Sequence, residues 1–326
     1  MAISLADMAK QSAAPMQKGF ILDLLRYSDL LNTVSFDNVP GLKVAGKRWQ
    51  TLSNAGFRQL NGGYTESTGT IEEVGETLAF LGGDIKVDKA FDKADSGSIE
   101  KPLVTQMKMK AKAVAFAFNN AFINGNQAVN PDSFEGLLSR VSNMSSRMTL
   151  WQDASSNGTG ASLKVLASAA NEKQLITAMH KANKYVGGAT HIFMNENSVI
   201  GIGQVLRDLG ITYQPVALWD KTWESFQGVP FVDVGLQGDK STEIITNTET
   251  VADNTATSMY FVRMDSDDGL RGIQMNGMDM NVYDPLNGNE TEGGPQYLRR
   301  VDWAVGLFNL SQYSIARVCG FKMAAS

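Results

Sequence analysis

Between Gln59 and Ile85 the chain carries Glu66, Glu72, Glu73, Glu76 and Asp84, and neither a lysine nor an arginine. The passage is also rich in glycine and threonine, and its apolar residues keep no sustained period. A segment of this length is uncommon inside a compact domain and is normally functional or a linker. The pattern predicts a hairpin-like excursion that contributes little core. Val39, Leu42 and Val44 suggest a short strand ahead of it. Ile85 and Val87 alternate with Lys86 and Asp88, as in a strand with one wet face. These five carboxylates equal the net charge of −5 on 326 residues, so the rest of the chain balances to zero.

A basic counterpart follows. From Lys101 to Pro131 there are four lysines and no acid. Pro102 suits a first helical turn, where its missing N–H costs nothing. Met107, Ala111, Val114, Phe118 and Phe122 then fall on one helical face, with Lys101, Lys108 and Lys112 on a neighbouring stripe. The spacing predicts a helix from Pro102 to about Ile123, ended at Asn124-Gly125 by a left-handed cap. A solvated face is the plain reading of its lysines.

Residues 1–36 read as an extended or loosely helical arm interrupted by Pro15, with Phe20, Ile21, Leu24 and Leu25 at helical spacing. So short an amphipathic piece must pack on another element or another chain. Residues 135–260 read as mixed α/β: a helix from Asn171 to about Tyr185, a buried strand at His191–Met194, and Asn195 capping a helix that reaches Leu209. The final third is strand-rich, at 259–264, 270–275, 280–284, 297–310 and 314–321.

Composition excludes global disorder, since 43% of residues are hydrophobic and only 19% charged. The negative balance argues against a dedicated nucleic-acid reader. Cys319 is the sole cysteine, so no intrachain disulfide exists, and with no signal peptide or spanning segment a reducing cytoplasm is expected. Catalytic signatures fail in turn. GIGQVL at 201–206 places Leu206 where a dinucleotide fingerprint needs its third glycine. His180 and His191 with one distant cysteine make a poor metal set, better read as packed or surface residues. Asp265, Asp267 and Asp268 before Gly269 miss the calcium-loop spacing and suit a turn. No catalytic residue, cofactor or metal is expected, although a carboxylate pair acting in an enzyme stays open as a minority reading.

The order of features resembles the major capsid proteins of tailed bacteriophages with the Hong Kong 97-type fold, over nearly the whole chain. WQTLSNAGFRQLNGGYTEST followed by LGGDIKVDK is similar to that family's extended loop and its returning strand. MKMKAKAVAFAFNNAFINGNQAVNPDSFEGL is similar to its long spine helix and exit. FQGVPFVDVG, MYFVRMDSDDGLRGIQ and RRVDWAVGLFNLSQYSIARVCGF resemble strands of the later shell region.

The resemblance implies an α+β fold. Its parts would be an N-terminal arm (1–36), a first strand and extended loop (37–92), a peripheral domain with the spine helix (93–136), an axial domain (137–275), and closing strands of the peripheral domain (276–326). Copies would form pentamers and hexamers of an icosahedral shell around double-stranded DNA, assembled in the host cytoplasm. On the loop, Tyr64, Glu66, Glu72, Glu73, Glu76, Leu78 and Phe80 would lie over a neighbouring subunit, with Arg299 and Arg300 as candidate partners for the acids. Lys101, Lys108, Lys110 and Lys112 would face either packaged DNA or an adjacent subunit. Some family members cross-link through a loop lysine. None lies between Gln59 and Ile85, so a non-covalent shell is expected. Only about 36 residues precede the first strand, so any scaffold would be a separate protein, beside a portal, a possible decoration protein and no membrane. A bacterial encapsulin is the alternative within the same fold.

Overall fold

The computed structural model describes residues 3–11, 15–88, 90, 102–211, 215–218, 221–239, 241–249, 251–276, 280–283 and 296–324. Among these, two mixed sheets carry the body and a separate two-stranded ribbon leaves it. In the six-stranded sheet the long strand Gln296–Asn309 is central. It pairs antiparallel with Leu270–Met275, Asn281–Tyr283 and Ala79–Asp88. Leu270–Met275 in turn pairs parallel with Ser35–Val39.

The spine helix, Pro102–Asn124, packs on this sheet. Of its periodic face, Ala111, Val114, Phe118 and Phe122 are shut off from water as expected, Met107 is partly buried, and Ala115 is buried beside them. The Phe118 ring stacks on Trp303 at 5.2 Å, and Phe36 meets Trp303 at 5.4 Å. Each such fully buried ring contributes about 1.5–3 kcal/mol, which is why the helix holds here despite its modest intrinsic amphipathicity. The left-handed cap is not found, since Gly125 lies outside the positive-φ residues. A side chain there would overlap the carbonyl oxygens of Phe134 and Ala121, so close approach explains the glycine.

The N-terminal residues are folded onto their own chain. Helix Pro15–Tyr27 buries Phe20, Ile21, Leu24 and Leu25 in the core that holds the spine helix. Ser28 caps the next helix, Asp29–Thr33, accepting from the Leu31 N–H at 3.0 Å, and its hydroxyl donates to Asn119 Oδ1 at 2.7 Å. Asn119 also donates to the Val234 carbonyl at 3.3 Å, joining this segment to the second sheet.

The second sheet has seven strands. Its central run is Val229–Asp233, His191–Met194, Thr257–Val262 and Ile315–Lys322. The helices Ala169–Val186 and Glu196–Asp208 cover it. Asn195 caps the latter as expected, accepting from Ser198 N–H at 3.0 Å. Sheet membership crosses the expected 275/276 boundary twice. Leu270–Met275 belongs to the six-stranded sheet, and Ile315–Lys322 to the seven-stranded one. The reason is that Ile315–Lys322 matches Thr257–Val262 through six antiparallel partners, burying Ala316, Val318 and Phe321 against the helices. Asp265, Asp267 and Asp268 do occupy the turn between strands Thr257–Val262 and Leu270–Met275.

Candidate assembly surface

The acidic excursion is a ribbon. Strand Lys43–Thr51 pairs antiparallel with Thr70–Thr77, in one register from Lys43↔Thr77 at the root to Trp49↔Ile71 and then through a bulge to Thr51↔Thr70 at the far end. Two strands alone are marginal in water, so the root must be tied to the body. Three contacts do this, and a cross-strand pair, Arg48 with Glu72, braces the ribbon itself. At Gly46 a side chain would press on Phe308 and Leu310, so the bare backbone lies against them. Leu78 is buried with Ile273, Ala304 and Phe308. Arg48 Nε donates to Glu72 Oε2 at 2.8 Å. Arg140 Nη1 donates to Glu76 Oε1 at 2.7 Å, while its Nη2 and Nε reach the Leu307 and Glu135 carbonyls at 3.0 Å each.

Beyond Thr51 the tip, residues 52–69, has no regular hydrogen-bonded structure and is exposed throughout. It turns at Gln59–Gly62, where Gly62 N–H donates to the Gln59 carbonyl at 3.0 Å and Asn61 takes φ 66°. Leu52, Phe57, Leu60 and Tyr64 stand in water, with Trp49 and Ile71 exposed on the adjoining strands. The Arg58 guanidinium lies 5.4 Å from the centre of the Tyr64 ring. An uncovered cluster of large apolar side chains marks an interaction surface.

The predicted loop residues divide three ways. Tyr64 and Phe80 are exposed, while Leu78 is buried at the root within its own chain. Glu72, Glu76 and Asp84 are paired inside the chain, with Arg48, Arg140 and Arg300. Glu66 and Glu73 form no ion pair among the described residues, although Glu73 sits opposite Lys47 in the ladder. Arg300 is thus engaged at home rather than waiting for a neighbour's acid. It stands directly opposite Asp84 and grips both carboxylate oxygens, at 2.6 and 2.8 Å. Those bonds hold the Asp84 carboxyl below its ordinary range. Arg299 Nη1 donates to the Leu298 carbonyl at 3.1 Å.

Of the spine-helix lysines, Lys101 lies outside the described residues. Lys110 comes close to Gly83, and its charge also lowers the Asp84 carboxyl. Lys112 holds its ammonium 5.0 Å from the Tyr27 ring centre. Lys108 is half-buried on the same helix. Arg140, Phe57 and Leu60 were not singled out from the sequence. Phe57 and Leu60 could have been, as apolar residues in a passage that offers them no periodic partner face.

Among the described residues no group of histidine, cysteine, aspartate and glutamate could hold a metal ion, and no helix is long and apolar enough to cross a membrane. Burial pushes the Cys319 thiol up to about 12 and the His191 imidazole down to about 4. His180 packs against Phe226 with ring centroids 4.9 Å apart.

The family model for the major capsid protein GP7 matches residues 49–164. Comparison with curated protein sequences gives no match. Among solved structures, the chain is similar to the holo-SrpI encapsulin complex of Synechococcus elongatus PCC 7942 (TM-score 0.60, 13% identity, covering 96% of this chain and 89% of that one). It is similar to a chain of Mycobacterium phage Bobi (0.58, 13%, 91% and 89%) and to one of the satellite phage P4 procapsid with its size determination protein (0.52, 10%, 97% and 94%). At such identities the structures carry the fold, which is the Hong Kong 97 type. By that fold over almost its whole length, and by the match of the GP7 model across the loop tip, the returning strand and the spine helix, the chain is similar to the major capsid proteins of bacteriophages.

Proposed function

We propose that copies of this chain assemble as pentamers and hexamers into an icosahedral phage head closed around double-stranded DNA. The observation that carries this reading is the loop tip. Its large apolar side chains stand exposed among the described residues, and the family signature spans that same tip and the spine helix. In such a head, residues 1–36 brace the spine helix, the seven-stranded sheet of the middle region faces capsomer centres, and the six-stranded sheet with the extended loop forms the periphery. A separate scaffolding protein, a portal and a decoration protein complete the particle, which assembles in the host cytoplasm. Contact with packaged DNA would be nonspecific and salt-dependent, through phosphates, with Lys108, Lys110 and Lys112 as the groups to supply it. The intrachain neighbours of Lys110 and Lys112 give those two a structural role as well.

The likeness to an encapsulin favours one second reading, a shell that encloses protein cargo rather than a genome. Particle contents separate the two. Shells purified from infected cells and treated with nuclease should retain protected double-stranded DNA of genome length. Shells that protect no DNA and carry a stoichiometric enzyme would establish the encapsulin reading instead.

A further inference from the structure

Asparagine followed by glycine is among the least durable pairs in a polypeptide. Glycine has no side chain to shield its nitrogen, which can then attack the neighbouring carboxamide, and asparagine is thermolabile for such reasons. The pair occurs at 61–62, 124–125, 157–158, 276–277 and 287–288. Gly277, Asn287 and Gly288 lie outside the described residues, which leaves three pairs to compare.

Two of the three are locked. Asn124 Nδ2 donates to the Ile244 carbonyl at 2.8 Å and to Asn120 Oδ1 at 3.0 Å, while the Gly125 N–H donates to the Ala121 carbonyl at 2.9 Å. Asn157 Oδ1 accepts from the Thr159 N–H at 3.1 Å and from its hydroxyl at 2.6 Å. The Gly158 N–H donates to the Asp153 carboxylate at 3.1 Å, and a nitrogen held by an anion resists losing its proton. Asn61 stands apart. It is exposed at the turn of the loop tip, in a stretch without regular structure. Among the described residues its carboxamide has no hydrogen-bond partner. The Gly62 N–H makes one bond, to the Gln59 carbonyl at 3.0 Å, in full reach of water. Arg58 Nη1 donates to that same carbonyl at 3.4 Å and to the Gly62 carbonyl at 3.3 Å. A fixed cation thus lies beside the nitrogen that must become anionic, which favours the ionisation.

We infer that Asn61–Gly62 is a self-modifying site, where the unassembled chain converts asparagine to aspartate and isoaspartate without an enzyme. The Gly62 nitrogen gives up its proton and bonds to Asn61 Cγ. The Cγ–Nδ2 bond breaks, and Nδ2 takes up a proton and leaves as ammonia. Water then opens the cyclic imide. Cleavage at Cγ gives aspartate, and cleavage at the main-chain carbonyl carbon gives isoaspartate, whose backbone is longer by one methylene. The charges of residues 52–69 are Arg58 and Glu66, so the tip passes from balanced to net negative. On the assembly reading above, a subunit that ages unassembled therefore drops out of particle formation.

Peptide mapping by mass spectrometry, on full-length unassembled chain kept at mildly alkaline pH, tests the chemistry. Asn61 should convert at least about tenfold faster than Asn124 and Asn157, whose hydrogen bonds must first break. Aspartate and isoaspartate should appear together, and Gly62→Ala should keep Asn61 intact over the same period. An unchanged Asn61, equal rates at the three sites, or undiminished conversion in Gly62→Ala would overturn the inference, whatever the particles do. Particle yield is then compared between fresh and aged chain. Yield should fall in step with conversion at Asn61, and aged Gly62→Ala should keep its own. A Cβ at position 62 would come 3.3 Å from the Gln59 carbonyl oxygen. Should that disturb the turn, fresh Asn61→Asp chain reads the same effect and should also lose yield. Full yield from converted chain and from Asn61→Asp would overturn the effect on assembly. Failure of the fresh, unaltered chain to form particles would instead sink the assembly reading.

Discussion

Arg140 and Glu76 form a 2.7 Å ion pair at the root of the ribbon, with both side chains largely withdrawn from water. The guanidinium also serves the Leu307 and Glu135 carbonyls, so one residue ties the ribbon, the long central strand and the exit of the spine helix together. This pair fastens the root of the ribbon to the body. Glu76→Ala would leave that guanidinium buried without its counter-charge, at a cost of about 3–5 kcal/mol. Chemical denaturation should show it as a lowered midpoint. An unchanged midpoint would mean the pair is incidental.

The outer part of the ribbon should behave differently. Glu72 and Glu73 face Arg48 and Lys47 across the ladder, outside the core. Glu72→Lys combined with Glu73→Lys replaces the Arg48–Glu72 ion pair by like charges and sets a second lysine opposite Lys47. Melting of the unassembled chain should be nearly unchanged while particle formation is impaired. Normal particles from this double variant, seen by electron microscopy, would refute a role for the ribbon in assembly.

Acid stability has a local source in the middle region. Burial works to raise the Asp253 carboxyl, but hydrogen bonds from Ser162 and Thr255 outweigh it and hold the group at about 2, against an ordinary 3.8. The Ser162 hydroxyl donates at 2.8 Å, and the Lys322 ammonium lies 3.6 Å away. A carboxyl lowered on folding stabilises fully above its unfolded value, and that stabilisation is lost as pH falls through the folded one. Between about pH 4 and pH 2 the native chain should therefore lose more stability than Asp253→Asn does. Parallel acid limbs in urea titrations would contradict this.

Chemistry between subunits is expected to be absent from the loop. No lysine lies between Gln59 and Ile85, and Lys43 and Lys47 stand on the ribbon's first strand, so the tip carries no ammonium to form an isopeptide bond. Purified particles boiled in detergent should give one band at the mass of the single chain. A high-mass ladder would show cross-linking from another position.

Local features of the fold were legible in the sequence because their causes are local. The spine helix follows from apolar spacing after Pro102, and the cap at Asn195 from one side chain beside one N–H. Pairing over long separations was not legible. Nothing in SIARVCGF says that it joins Thr257–Val262 rather than its sequence neighbour Gln296–Asn309. The Arg140–Glu76 pair spans 64 positions and leaves no local trace. The charge segregation was visible, but its meaning changed. Three of the five loop carboxylates are neutralised within the chain, so apolar side chains, more than charge, define what the tip offers a neighbour.

The central claim is that this chain builds a closed shell from copies of itself. Electron microscopy of the purified full-length chain, paired with sedimentation velocity, tests it most directly. The account predicts uniform hollow particles of megadalton mass with five- and six-fold capsomers. A small oligomer of fixed size, with no shells under any assembly condition and none in infected cells, would contradict it.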